Sequence, residues 1–367
     1  MKKIAMFIDS LSGGGAEKVV LTLTRAMQEL GNKVTLFVLD KKVHYELSDE
    51  LLIIYLQSDP KHKTKGWFNR QKEAEKLNFL VKEQQNLFGS FDLFLVHLQE
   101  SYRIVSACNF TPCFYVIHNS LKETLRREKM LGPVKYYYLK LALRKLQHQQ
   151  LITVSHGIRI EIKYLKFIKP SSVQTIYNPF DLKQIEALAK EPELNLPKDK
   201  YIVHVGRFAK QKRHDILFEA LQNVPQEYKL VCLCRASKKL ITLIKKMKLE
   251  HRVIVSGFVQ NPYTWISHAE LLVLSSDYEG LPTVLIEALA CGTPVVSTRC
   301  PHGPDEIMTG VLSDYLLPRG EPQQLANKIN YVLQNDIHVG RAEILQKVEA
   351  QNIAHQYLAL AKVNLNS

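Results

Sequence analysis

The 367 residues are too many for one ordinary hydrophobic core and suit two domains of roughly 150–200 residues each. A hydrophobic fraction of 46% with 23% charged residues excludes a disordered chain, and no apolar run reaches the roughly 18 residues a transmembrane helix needs. The net charge of +13 is uneven: residues 1–180 hold 27 Lys and Arg against 16 Asp and Glu, and residues 181–367 hold 22 against 20, so an anionic partner, nucleic acid or an acidic membrane surface, is expected on the first half.

Along the chain, Met1-Lys2-Lys3 followed by Ile4–Ile8 imitates a signal peptide, but Asp9 stops the apolar stretch after five residues. Lys3–Ile8 therefore reads as a strand, followed by the turn Ser10–Gly15, a helix over Ala16 to Leu30 stopped by Gly31, and a strand over Val34–Leu39. Leu93–His97, Cys113–Ile117 and Leu151–Val154 are further strands at crossover spacing. A linker near residues 178–195, containing Pro179 and Pro192 and followed by Pro197, interrupts the rhythm. Tyr201–Val205, Lys229–Leu233, Arg252–Ser256, Leu271–Leu274 and Pro294–Thr298 then continue it. Alternating strands and helices predict an α/β fold of two doubly wound, Rossmann-like parallel-sheet domains facing a cleft, with ligands at the C-terminal ends of the strands. The expected boundaries are 1–178 for the first domain and 179–345 for the second, with a last helix over 346–367 packing back on the first. Six cysteines without metal-ligand spacing read as reduced thiols of a cytosolic protein, and Cys232 and Cys234 are expected on one buried face.

The turn Ser12-Gly13-Gly14-Gly15 follows a strand and opens a helix, so its backbone can approach an anion at the helix start. It lacks the Lys-Ser/Thr ending of a P-loop and the spacing of the dinucleotide fingerprint, and a tight connection explains it equally well. The stretch Ser275 to Pro294 carries more information. A loop with Glu279 leads to a helix beginning near Pro282, whose missing N–H suits a first turn; Gly292 closes the helix. Thr283 and Glu287 share a helix face. At helical rise, Glu279 and Glu287 lie at most about 12 Å apart, a span suited to gripping hydroxyls at two ends of a nucleotide sugar with its diphosphate at the helix start. The plainer reading makes both acids solvated, but apolar neighbours on Glu287 argue against it, since a buried carboxylate needs compensation.

Glu279 and Glu287 form an E-x7-E pair within EGLPTVLIEALACGTPVV, and this block resembles the retaining glycosyltransferases of GT-B fold in family 4. Ser12–Glu17 with Lys18 is similar to the family's opening GGGAE segment, Val154-Ser155 to its VS, and Ile176–Pro179 to its YNP. His204–Lys212 is similar to its VGR…K segment, Ser256–Val259 to its GFV turn, and Pro304–Ile307 to its acidic turn. The resemblance thus spans nearly the whole chain.

It implies a retaining, metal-independent transferase whose donor is a nucleotide diphosphate sugar, most simply a UDP-sugar. On that basis Arg207 and Lys212 contact the diphosphate, Glu279 the sugar hydroxyls and Glu287 the ribose. Gly280, Leu281, Pro282 and Thr283 line the helix start, Phe258 and Val259 the nucleobase pocket, and Gly14 and Gly15 approach the diphosphate and acceptor. His118 matches a histidine near the donor sugar, although a lone histidine is more often structural. Same-face attack through an oxocarbenium-like state is implied, with the departing diphosphate taking the acceptor proton. No Asp-x-Asp triplet occurs, so no metal and no other cofactor is expected. The chain departs from the family at Cys234–Lys239, where relatives carry a glycine-rich turn; this puts base and sugar identity in doubt and makes Arg235 a candidate phosphate contact.

In Leu121–Gln150 eight Lys or Arg stand among Tyr136, Tyr137, Tyr138, Leu139, Leu141 and Leu143, a composition suited to a helix resting on an acidic membrane. The plainer reading turns the leucines to the core, and no motif accompanies the charge to support nucleic acid. The expected protein adds a hexose or N-acetylhexosamine to a lipid-linked, lipopolysaccharide or surface-polysaccharide acceptor at the cytoplasmic face of the inner membrane. The rival is a non-catalytic basic protein using the same scaffold to hold an anionic polymer or membrane, which would not need Arg207, Lys212, Glu279 and Glu287 together.

Overall fold

The computed structural model describes residues 1–12, 14–43, 50–57, 69–335, 337 and 342–362. The chain divides into two units, Met1–Phe180 with Val348–Ser367, and Asp181–Lys347.

In the first unit the strands are β1 (Lys3–Ile8), β2 (Lys33–Asp40), β3 (Leu52–Gln57), β4 (Leu93–His97), β5 (Cys113–Ile117), β6 (Gln150–Thr153) and β7 (Ser172–Thr175). They pair in parallel in the order β3-β2-β1-β4-β5-β6-β7. The central strands read as continuous apolar runs because helices cover both faces of a parallel sheet; Ile4 to Ile8 and Leu93 to His97 are buried throughout. Between them run α1 (Gly15–Glu29), α2 (Arg70–Phe88), α3 (Gln99–Val105), α4 (Leu121–Met130), α5 (Pro133–Leu143) and α6 (His156–Tyr164). Gly31 ends α1 as expected, at φ 76°, with its N–H on Gln28 O and that of Asn32 on Met27 O. Phe7, Phe37, Phe94 and Phe110 stack in the core, the closest pair with centroids 4.7 Å apart.

The second unit holds α7 (Leu182–Ala189), β8 (Tyr201–Val205), α8 (His214–Leu221), β9 (Lys229–Leu233), α9 (Lys238–Lys246) and β10 (Val253–Val255). There follow α10 (Pro262–Ser267), β11 (Leu271–Leu274), α11 (Thr283–Ala290), β12 (Val295–Thr298), α12 (Pro304–Ile307), β13 (Leu316–Leu317), α13 (Pro322–Gln334) and α14 (Glu343–Lys347). Its parallel sheet runs β10-β9-β8-β11-β12-β13. Cys232 and Cys234 are both buried in its core. Arg252 is also buried there, and its guanidinium donates to the carbonyls of Leu221, Val224, Pro225 and Tyr228 at 2.8–3.0 Å, closing the C-terminal end of α8. The chain then returns to the first unit: Phe180 and residues 348–350 exchange backbone hydrogen bonds of 2.8 and 2.9 Å, and α15 (Ala350–Ala359) lies against α1. The last helix, expected over 346–367, is α15 at Ala350–Ala359 followed by a 3-10 turn at Leu360–Lys362, and residues 363–367 lie outside the described residues.

Each sheet has one point where the strand order reverses, between β1 and β4 in the first unit and between β8 and β11 in the second. Loops leaving the carboxyl ends of such a strand pair diverge and leave room for a ligand. Among the described residues, no helix is long and apolar enough to cross a membrane.

Candidate active site

In the second unit the loops at the reversal point are Gly206–Arg213, after β8, and Ser275–Pro282, after β11. Several bonds join them, four of them made by Gln211 and Lys212. Ser275 Oγ donates to Lys212 O at 2.8 Å, Asp277 N to Gln211 O at 2.8 Å, and Gln211 Nε2 to Tyr278 O at 2.7 Å. The fourth is the ion pair of Lys212 Nζ with Glu279 Oε1 at 2.7 Å, its side chains 18% and 10% exposed. Two residues singled out from separate motifs are thus in direct contact. Arg207 is exposed and makes no ion pair among the described residues, so its guanidinium is available to an anion.

A third loop, after β12, holds Glu279 from below. Glu279 N donates to Pro301 O at 2.7 Å, and His302 N donates to Glu279 O at 3.0 Å. Gly303 closes that loop at φ 98°, where a Cβ would stand 2.5 Å from Pro282 Cδ and 2.9 Å from Gly280 O. Only glycine admits both the conformation and the approach. In the sequence only the Gly303-Pro304 dipeptide marks this turn.

Helix α11 starts one residue later than expected. Pro282 is its N-cap and lies outside the first turn, and Leu285 N turns back to Pro282 O. The N–H groups of Thr283 and Val284 precede the first full helical bond, so the helix start offers donors and a partial positive charge beside Lys212 and Glu279. Because residues 279–282 are loop, helical rise does not apply across the whole Glu279–Glu287 interval. Gly280, Leu281 and Pro282 are buried, Thr283 is half-buried, and Glu287 is buried on α11 at 4% exposure, which removes the solvated reading of this acid.

Arg235, at the end of β9, is exposed, and its guanidinium lies 5.7 Å from the ring centroid of exposed Phe258. It therefore sits over the aromatic turn as a cation–π partner. Val259 beside it is half-buried. Arg213, which belongs to no motif of the sequence, joins Asp215 at 2.9 Å and Asp277 at 3.0 Å and braces the two loops. Behind Lys212, His204 and His214 meet edge to face, centroids 4.6 Å apart. Burial first, and the Lys212 charge second, pushes His214 down to about 4.

In the first unit Gly14 is the N-cap of α1 and Gly15 its first residue; Gly13 lies outside the described residues. At the reversal point Asp9 accepts from Ser101 N and Ser101 Oγ, both at 2.8 Å, and from Glu100 N at 3.2 Å. Burial pushes its carboxyl up to about 7 against these donors. His118 follows β5, and its Nε2 lies 2.9 Å from Nδ1 of His97 at the end of β4. Burial holds His118 down to about 4.

The basic stretch is two helices joined at Leu131-Gly132. Leu139 and Leu143 face the core and Tyr138 Oη bonds Glu100, so these are not the membrane-facing groups expected. The exposed apolar residues are instead at the turn: Met130 (68%), Leu131, Val134 (81%) and Tyr137, among exposed Arg126, Arg127, Lys129 and Lys135.

Residues 13–184 match the family model described as Glycosyltransferase Family 4, and residues 186–350 match Glycosyl transferases group 1. The N-acetylgalactosamine-N,N'-diacetylbacillosaminyl-diphospho-undecaprenol 4-alpha-N-acetylgalactosaminyltransferase of Campylobacter jejuni is 30% identical over 320 residues, which cover 84% of this chain and 83% of that one. Two solved structures share the fold at 20% identity. The sucrose-phosphate synthase of Thermosynechococcus elongatus has a TM-score of 0.78 over 99% of this chain and 98% of its own. HepE of Anabaena, in complex with UDP and glucose, has a TM-score of 0.68 over the same shares.

Proposed function

Because the chain belongs to the family 4 and group 1 glycosyltransferases and has the GT-B fold, we propose that it is a retaining, metal-independent enzyme moving a hexose or N-acetylhexosamine from a UDP-sugar to a lipid-linked glycan. The observation that carries this reading is the Lys212–Glu279 pair at the β8/β11 reversal point, beside the start of α11 and the unpaired Arg207. Arg207 and Lys212 hold the diphosphate, by forked and point-charge contact respectively, and the α11 N–H groups add dipolar stabilisation. Glu279 binds sugar hydroxyls and Glu287 the ribose; Phe258, with Arg235 over it, borders the base. UDP in the HepE complex supports the nucleotide, and the N-acetylgalactosaminyltransferase name of the Campylobacter relative supports an N-acetylhexosamine.

The bond between the anomeric carbon and the diphosphate oxygen breaks as the acceptor oxygen attacks the same face, and the acceptor proton passes to the leaving diphosphate. Arg207, Lys212 and a helix start stabilise the charge that develops there, the role a divalent metal has in other transferases. The basic, apolar turn at Met130–Tyr137 rests on the acidic cytoplasmic face of the membrane that carries the acceptor. The name of the Campylobacter relative, with its diphospho-undecaprenol acceptor, supports a lipid-linked one here, of the lipopolysaccharide or surface-polysaccharide class.

The test is incubation with a panel of UDP- and GDP-sugars in EDTA, following nucleotide diphosphate release, with proton NMR of the product. UDP release and an unchanged anomeric configuration are expected. Release from no donor, with no nucleotide raising the melting temperature, would instead favour a non-catalytic scaffold.

A further inference from the structure

The geometry points to His97 as a positioning residue: its Nδ1–H donates to Nε2 of His118 across 2.9 Å and fixes His118 in the tautomer that presents Nδ1–H to a sugar hydroxyl. The inference rests on the reading of His118 as a sugar-binding residue. His97 is the last residue of β4, fully buried, and His118 follows β5 directly, both next to the β1/β4 reversal point where this unit opens to ligand.

An N···N hydrogen bond needs one proton between the rings, and two protonated nitrogens facing each other would repel. Burial holds His97 well below its ordinary range and His118 down to about 4, so at neutral pH each ring carries a single proton. Two arrangements remain. If His118 donated from Nε2, the proton of His97 would have to sit on its own Nε2, a buried atom with no hydrogen-bond partner among the described residues. That would bury an N–H without an acceptor, at the full desolvation cost of the donor. If His97 donates from Nδ1, its Nε2 carries only a bare lone pair. The second arrangement is favoured, and it puts the proton of His118 on Nδ1, the nitrogen that His97 does not occupy.

The backbone around His97 keeps its ring in place. Leu98, the next residue, stands at φ 70° and ψ 165°, a conformation that a leucine holds only when its surroundings impose it. What imposes it is the start of α3, pinned by the three donors on Asp9.

The test uses the full chain labelled with 15N-histidine. Long-range proton–nitrogen correlation reads the tautomer of His118, identified by its loss in His118→Gln. The wild type is expected to show protonated Nδ1 and a hydrogen-bonded acceptor at Nε2. In His97→Leu the two tautomers of His118 should mix, and kcat should fall on the order of tenfold to a hundredfold with the donor KM within about twofold. His97→Asn, whose Nδ2–H takes the place of Nδ1–H, should restore the single tautomer and most of the rate. Protonated Nε2 on wild-type His118 overturns the proposal, as does a His118 signal unchanged in His97→Leu or an Asn variant no better than Leu. Should His97→Leu fail to fold, the wild-type spectrum alone decides. A wild type that transfers no sugar refutes the sugar-binding reading, and the tautomer is still read independently.

Discussion

Replacing Lys212 with methionine separates the charge of this side chain from its bulk. The lysine stem lies against Gly206, its Cε and Cδ 3.2 and 3.4 Å from where a Cβ on that glycine would stand, and methionine keeps most of that packing. What disappears is the cation 2.7 Å from a carboxylate whose side chain is 10% exposed. Removing one partner of a fully buried pair costs about 3–5 kcal/mol, and the 18% exposure of Lys212 lets water reduce this to about 2–3 kcal/mol. For a domain of this size each kcal/mol is worth about 2–4 °C, so the melting temperature should drop by roughly 5–10 °C. Glu279→Gln alone should also destabilise, by leaving the ammonium without its counter-charge. Made together, Lys212→Met and Glu279→Gln leave no charge unpaired, and their joint cost should fall short of the sum by about 1–2 kcal/mol. Calorimetry on the four proteins measures this. A Lys212→Met variant melting within about 1 °C of wild type, or strictly additive losses, would show that the pair does not hold the loops.

Three further outcomes are expected. Gly303→Ala puts a methyl 2.5 Å from Pro282 Cδ at a φ of 98°, and should cost about 2–4 kcal/mol and most of the transfer rate; a variant with wild-type melting and rate would show that the loop clasping Glu279 is not needed. Arg252→Leu orphans the carbonyls of Leu221, Val224, Pro225 and Tyr228 and should lower stability by about 3 kcal/mol, read as a lower melting temperature, with an unchanged value as the contrary result. Stability should fall as pH drops from 6.5 towards 4. His118 and His214 are held down to about 4 by burial, and His97 and His204 well below their ordinary value, so the unfolded chain binds more protons in that window. Each of the first two contributes up to about 3 kcal/mol. Asp9, pushed up to about 7, takes up a proton in the folded state and opposes the trend, as one group against four. A melting temperature that holds or rises over a pH series from 7 to 4.5 would contradict this.

The central strands were legible because a parallel strand buried on both faces is a continuous apolar run: Lys3–Ile8, Leu93–His97, Cys113–Ile117, Tyr201–Val205, Lys229–Leu233 and Leu271–Leu274 form as read. Edge strands carry less signal. Ser172–Thr175 is polar and Leu316–Leu317 is two residues long, and neither was read from the sequence; Leu52–Gln57 was missed despite an apolar run that could have shown it. At the site, Lys212 and Glu279 stood out by motif, but their contact arises from tertiary pairing across 67 residues, which no local pattern encodes. His97 and Arg213 were invisible for the same reason, each acting on a loop distant in sequence, while at Gly303 the Gly-Pro dipeptide marks a turn but not the loop it packs against. In the basic stretch, composition could not say which side chains face water: Leu139 and Leu143 are buried, while Met130, Leu131, Val134 and Tyr137 are exposed.

The claim that the β8/β11 reversal point binds a nucleotide diphosphate is tested most directly by titration calorimetry of UDP into the wild type, Arg207→Ala and Lys212→Met in EDTA. Binding to the wild type without metal, weakened at least about tenfold by either substitution, is predicted, one charge-assisted phosphate contact being worth about 1.5–3 kcal/mol. Equal UDP affinity in all three proteins, or binding that appears only when a divalent cation is added, would contradict it.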